Sequence, residues 1–113
     1  MTKIPKPPDF LNEQARHAFF RIYHFLESQG LWNDIDRSLL AVTAVTCDHY
    51  IRMAKCGLLP VEAEEERILA RKLLADFYCI PENRIHLAAI NSDGLDVDIV
   101  AVCEPLKTHQ NDV

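Results

Sequence analysis

The chain has 113 residues, of which 49% are hydrophobic and 26% are charged, and its formal net charge is −5 at pH 7. This length and balance predict one globular domain that buries about two thirds of its unfolded surface. No apolar run approaches the roughly 20 residues that cross a bilayer, and residues 1–11 lack the apolar core of a signal peptide. We therefore expect a cytoplasmic protein, in which the acidic charge confines any nucleic-acid binding to a local patch or to many copies acting together.

Residues 1–11 are predicted to form an extended arm, because each proline in KIPKPPD removes a backbone donor and disfavours helix in the residue before it. Lys3 and Lys6 are candidate phosphate contacts on this arm. The alternative is a tail that happens to carry two lysines.

The first helix is predicted from about Asn12 to Gln29, with Asn12 as the N-cap and Gly30 as the stop. Phe20 and Tyr23 lie at the edge of its apolar stripe, so they are candidate self-association contacts. The stripe itself comprises Leu11, Ala15, Ala18, Phe19, Ile22, Phe25 and Leu26.

The second helix is predicted from Asn33, whose side chain can cap its first turn, to about Lys55, and the third begins near Pro60 or Val61. Four glutamates open the third helix and basic residues follow, an order that suits the helix dipole. We interpret this charge run, which includes Arg67 and Arg71, as a solvated face.

The stretch from Ile68 to Ile90 predicts a long amphipathic helix, a break at residues 79–81, and a shorter second helix that begins at Pro81. So short a break is typical of a helix-turn-helix, and Ala75, Cys79 and Ile85 occupy the small, turn and apolar positions of that motif. The alternative is an ordinary pair of core helices joined by a proline turn.

The run LDVDIVAVC alternates apolar residues with Asp96 and Asp98, which predicts a strand between Gly94 and Pro105. A single strand needs a partner for its backbone, so Val97, Ile99 and Ala101 are candidate contacts with another subunit or another protein. The chain as a whole is predicted to be mainly α, with an arm at 1–11, a helical bundle at 12–91 that ends in the helix-turn-helix-like pair, and a strand and tail at 92–113.

Sites for catalysis or cofactors are not apparent in the sequence. The four cysteines are widely spaced, which favours reduced thiols, and neither they nor the histidines have the close spacing of a zinc site. The three glycines form no phosphate-binding loop. We therefore expect a protein that is not an enzyme and that holds no metal or cofactor.

Three stretches, in order and in register between about Pro5 and Leu87, resemble the small terminase subunit of tailed bacteriophages and prophages, in its short helical branch. PKPPDFLNEQA resembles that branch's proline-rich opening, and ESQGLWNDIDRSLL resembles its helix-loop-helix junction. LLADFYCIPENRIHL resembles its most recognisable stretch, with Pro81 after the turn and Arg84 next to the following helix. The chain departs from the pattern at Phe19, where the family usually has Trp, and at Cys79, where it has the turn Gly.

The resemblance implies a non-enzymatic protein that assembles into a ring, recognises double-stranded viral DNA at the start of packaging, and recruits the large subunit. The large subunit carries the ATPase and the nuclease. We expect Arg84 to contact phosphate or base, supported by Asn83 and His86, although Arg84 could instead form a buried or intersubunit salt bridge. Two other functions stay open: a dimeric helix-turn-helix transcription regulator, and a protein-interaction module that binds no nucleic acid.

Overall fold

The computed structural model describes residues 4–57, 60–87 and 89–104, which contain four α-helices and no β-strand. The helices are α1 (Glu13–Ser28), α2 (Arg37–Lys55), α3 (Pro60–Asp76) and α4 (Val97–Cys103), with single 3-10 turns at Asp34–Asp36 and Glu82–Arg84. α2 packs against α1, α3 and α4. The prediction of a mainly α-helical bundle is confirmed for this part of the chain.

Both predicted caps form, but only Asn12 caps an α-helix directly: α2 begins at Arg37, and its N-cap residue Asp36 makes no side-chain cap hydrogen bond. The Asn12 side chain accepts a hydrogen bond of 2.8 Å from the Ala15 N–H at the start of α1. The Asn33 side chain accepts one of 3.1 Å from the Ile35 N–H, in the 3-10 turn that leads into α2. These bonds satisfy backbone donors that have no partner within a helix, so the local sequence fixes the start of α1 and of the 3-10 turn. The predicted start of the second α-helix at Asn33 is wrong, because the first turn there is a 3-10 turn.

One hydrophobic core joins all four helices. Two side chains differ from their predicted places: Tyr23 lies in the core, whereas Phe25 reaches the surface. Tyr23 is buried because its ring meets the Trp32 ring edge-on, with centroids 5.1 Å apart. Within the described residues, no helix combines the length and the apolar character needed to cross a bilayer. The largest fully buried apolar side chains are Phe19, Ile22, Leu26, Leu40, Leu74 and Ile99.

The prediction of a second helix in the helix-turn-helix pair is wrong. After α3 the chain makes only one 3-10 turn, at Glu82–Arg84, and Ile85–Leu87 continue without helix. The carbonyls of Arg84, Ile85 and Leu87 accept hydrogen bonds from the arginine side chains of α3, and the Arg84 carbonyl also accepts a turn bond of 3.1 Å from the Leu87 N–H. The side-chain bonds compete with the backbone bonds between residues four apart that would continue a helix.

The predicted C-terminal strand is also wrong for residues 97–103, which form α4. Nearly every position of this run is apolar, so its hydrophobic pattern fits the two-residue period of a strand and the 3.6-residue period of a helix equally well. Asp96 decides between them, because its side chain accepts hydrogen bonds from the N–H groups of Asp98 and Ile99 and thereby caps a helix. The remaining sheet-like contact among the described residues is one isolated antiparallel bridge between Ile90 and Asp96.

Candidate functional site

Two arginines on α3 lie inside the protein. Arg67 and Arg71 are four residues apart and therefore share one helix face. Their residues are 4% and 0% exposed, which corrects their interpretation as part of a solvated face. Buried guanidiniums require partners for both their charge and their donors. They find these partners in α4 and in residues 82–87, which we call the recognition loop.

Arg71 binds both of these segments at once. Its Nη1 lies 2.9 Å from each carboxylate oxygen of Asp96 and 2.9 Å from Oδ2 of Asp98. Its Nε and Nη2 donate to the carbonyls of Ile85 and Arg84, each at 2.7 Å. One planar guanidinium therefore fixes the recognition loop and the start of α4 relative to α3.

Arg67 completes the same network. Its Nη1 donates to Asp96 Oδ2 and to the Leu87 carbonyl, both at 2.9 Å. Its Nε and Nη2 donate to the Glu64 carboxylate at 2.9 and 2.7 Å. The hydrogen bond from Arg67 lowers the pKa of Glu64, and the bond to Glu64 raises the pKa of Arg67. Both groups are therefore held in their charged forms.

Asp96 is the centre of the network and is fully buried. Besides its ion pairs with the two arginines and its role as N-cap, its backbone N–H donates to the Tyr50 hydroxyl at 3.0 Å. Burial raises the pKa of Tyr50, so this phenol stays neutral. α2, α3 and α4 thus meet at Asp96, and the recognition loop is joined to it through the two arginines.

The recognition loop carries the predicted DNA contacts on its outer side. Asn83, Arg84 and His86 are all exposed, while the carbonyls of this loop point to the buried arginines. The alternative of a buried salt bridge at Arg84 is wrong within this chain, because Arg84 is exposed, whereas an intersubunit salt bridge at Arg84 stays a prediction. The structure therefore gathers three of the predicted DNA residues on one fixed segment.

The two lysines of the arm are separate from this loop. Lys6 is exposed, and its carbonyl accepts a hydrogen bond of 2.8 Å from Arg37 Nε, which places this part of the arm beside the start of α2. Lys3 lies outside the described residues. The structure thus does not join Lys6 to the recognition loop.

Only part of the predicted partner set lies at the surface. Tyr23 and Ile99 are buried in the core of the same chain, which leaves them no surface for another molecule. Phe20 is half-buried and packs against the core, whereas Val97 and Ala101 are exposed on α4, one turn apart. The burial of Ile99 follows from the helical geometry of α4, since residues 97 and 101 share one face and residue 99 faces away from it.

A larger apolar surface lies on α2, where sequence analysis predicted none. Leu39, Val42 and Val45 are exposed and spaced three apart, and Phe10 of the arm lies beside Val42 and Val45. Phe10 is 76% exposed and Val42 is 53% exposed. Phe10, Val42 and Val45 line one open groove of about 480 Å³. We call these four residues the α2 face.

The turn at the end of α3 also differs from expectation. Cys79 was predicted to occupy the turn position that often needs a positive φ. Among the described residues other than glycine, it is Tyr78 that has a positive φ, of 62°. The Cys79 N–H donates to the Leu74 carbonyl and the Tyr78 N–H to the Ala75 carbonyl, each at 2.9 Å. This pair of bonds defines a Schellman motif with Tyr78 at the position that usually holds glycine.

The cysteines are free thiols in different environments. Burial raises the pKa of Cys79 to about 11 and that of Cys103 to about 12, and it raises the pKa of Cys47 as well. High pKa values make thiols poor nucleophiles and poor metal ligands. Among the described residues, no group of three or more His, Cys, Asp or Glu side chains is arranged to hold a metal ion.

One sequence signal could have revealed the buried network. Arg67 and Arg71 occupy the same helical spacing as Ala70, Leu74 and Phe77, all of which are buried. A charged residue within an apolar stripe predicts a buried partner of opposite charge. Asp96 was assigned to an exposed strand face, and the partner was therefore missed.

Comparison of this chain with protein-family models, with curated proteins and with solved structures finds no match.

Proposed function

We propose that this chain is a small terminase subunit of the tailed-phage kind, an oligomeric DNA-recognition and adaptor protein for genome packaging in the bacterial cytoplasm. The observation that carries the proposal is the α2 face. An apolar face this exposed is typical of a surface that another molecule covers, and a second copy of the chain is the partner that a ring requires.

The recognition loop supports the DNA-binding part of the proposal. It presents Arg84, Asn83 and His86 on a backbone whose carbonyls are bound to Arg67 and Arg71. A fixed backbone reduces the ordering cost when a side chain binds phosphate or a base edge. Because one such loop on a chain of net charge −5 would bind DNA weakly, several copies must act together. Val97 and Ala101 are the contacts that we assign to the large subunit.

The regulator alternative receives less support than the adaptor. A helix-turn-helix regulator places a recognition helix in the major groove. The single 3-10 turn at Glu82–Arg84 is too short for that role. The interaction module without nucleic acid is favoured by the acidic charge, and the experiment below separates it from the adaptor.

The oligomer is tested by light-scattering mass of the wild type and of Val42→Glu, with Leu69→Glu as the matched control. Leu69 is a similarly exposed apolar residue on α3, outside the α2 face. We expect a multimeric wild type, a multimeric Leu69→Glu variant, and a folded monomer for Val42→Glu, because a carboxylate cannot be buried in an apolar contact. A monomeric wild type would contradict the proposal.

DNA binding is tested by gel-shift titration of duplex DNA at several salt concentrations, with Arg84→Ala and Arg16→Ala as matched variants. Arg16 is exposed on α1. We expect Arg84→Ala to weaken binding and to reduce the salt slope by about one contact per subunit, whereas Arg16→Ala leaves both unchanged. Absence of binding by a multimeric wild type would leave the interaction module as the function.

A further inference from the structure

Tyr78 occupies a backbone conformation that disfavours its own side chain. Its φ of 62° lies in the left-handed region, where a Cβ atom crowds the following carbonyl. The Schellman motif at this position requires that conformation, and glycine satisfies it without strain. A tyrosine here makes the end of α3 less stable than a glycine would.

The side chain does not compensate for this strain by burial in the core. Tyr78 is 67% exposed, and the residue on the core side of the same turn is Ile80, which is 4% exposed. Tyr78 instead borders two open grooves: one of about 470 Å³ shared with α1 and α4, and one of about 720 Å³ between α3 and the recognition loop. Pro81 and Ile85 line that groove as well, so Tyr78 lies beside the segment that carries Arg84.

Strained residues persist where the surrounding structure enforces them, and they concentrate at binding and catalytic sites. Both ends of the segment from Tyr78 to Leu87 are enforced in this way. The Schellman hydrogen bonds fix its beginning, and the guanidiniums of Arg67 and Arg71 fix its end. The backbone positions of Tyr78 and Arg84 relative to each other are therefore set before any partner arrives.

We propose that Tyr78 is a contact residue of the DNA interface, and this inference rests on the proposed function. Asp76 and Glu82 border the same groove with one cation, Lys72, so the charged side chains of its lining are acidic on balance and disfavour phosphate there. The ring therefore contacts sugar or base and not the phosphate backbone. Arg84 supplies the ionic contact and Tyr78 supplies an aromatic contact that releases no counterions.

The test compares Tyr78→Gly, Tyr78→Ala and the wild type in thermal unfolding and in DNA titration at several salt concentrations. Glycine removes both the strain and the ring, whereas alanine keeps the Cβ strain and removes only the ring. We expect Tyr78→Gly to raise the melting temperature by roughly 3–6 °C, and Tyr78→Ala to leave it nearly unchanged. Both variants should weaken DNA binding roughly fivefold or more without changing the salt slope.

A residue with a purely structural role would not lower affinity while its replacement stabilises the fold. If the wild type binds DNA and both variants bind with the same affinity, this inference is overturned while the proposed function stands. If the wild type is multimeric and does not bind DNA, the DNA-binding function and this inference fall together. A change in salt slope for Tyr78→Ala would also overturn the assignment of a non-ionic contact.

Discussion

Asp96 shows how one residue can hold several parts of this protein in place. Its carboxylate is fully buried, pairs with Arg67 and Arg71, and caps α4 through two backbone N–H groups. Buried ion pairs add little net stability when complete, but removal of one partner leaves an uncompensated charge. The fold therefore depends on Asp96 more than the strength of any single bond would indicate.

We expect Asp96→Asn to destabilise the protein by about 3 kcal/mol or more, because the two guanidiniums lose their shared counter-charge while the helix cap is kept. Asp93→Asn is the matched control, since Asp93 is exposed in the turn before α4, and it should stay within about 0.5 kcal/mol of the wild type. Urea denaturation measures both. Equal stabilities for the two variants would show that the buried charge is not required.

At the scale of single residues, the sequence predicted the capping side chains but did not predict the buried ion pairs. Asn12 and Asn33 were identified because a cap depends on residues within three positions of itself. Arg71 and Asp96 are 25 residues apart, and their pairing depends on how α3 and α4 pack. The Arg84 side chain is exposed, and its contact with DNA stays a prediction.

Among the elements, α4 departs most from the sequence analysis. The apolar run from 95 to 103 is compatible with both periods, so local pattern alone could not separate strand from helix. The cap at Asp96 and the packing of α4 on α1 and α2 supply the missing information. The first three helices were predicted from their long amphipathic patterns, from a polar cap or proline near each start, and from a glycine near two of the ends. The start of the second helix was placed too early, because residues 34–36 form a 3-10 turn before α2.

A pair of substitutions distinguishes the helix from the strand at α4. In a strand, residues 99 and 101 would share one face and respond alike. In α4, Ile99 is buried and Ala101 is exposed. We expect Ile99→Asp to cost about 4 kcal/mol or more, and Ala101→Asp to cost about 1 kcal/mol or less. Thermal unfolding followed by circular dichroism measures both; similar losses would favour the strand.

At the scale of the whole molecule, the proposed DNA affinity belongs to the assembly and not to one chain. A net charge of −5 opposes approach to a polyanion, and each copy offers one exposed loop. When several copies are linked, binding of one copy raises the effective concentration of the others at the DNA, so weak contacts add up to a higher overall affinity. DNA binding through the recognition loop is therefore expected to depend on self-association through the α2 face, although the two surfaces comprise different residues.

We expect Val42→Glu, which keeps Arg84 and the whole recognition loop, to lose at least about tenfold in DNA affinity because it disrupts the assembly. Leu69→Glu adds the same charge outside the α2 face and serves as the control for electrostatic repulsion alone. Gel shifts at equal subunit concentration measure both variants. Equal losses would attribute the effect to added charge and not to assembly.

The buried arginine pair also constrains the order in which this protein can fold as it leaves the ribosome. Arg67 and Arg71 are synthesised well before Asp96 and Asp98. Without these carboxylates α3 would carry the Arg71 charge uncompensated into an apolar core, whereas Arg67 keeps Glu64 of its own helix as a partner. α1 and α2 can associate early through their apolar contacts. Docking of α3 must wait until residue 96 emerges, so a nascent chain that stalls earlier would keep its third helix hydrated and accessible to chaperones and proteases.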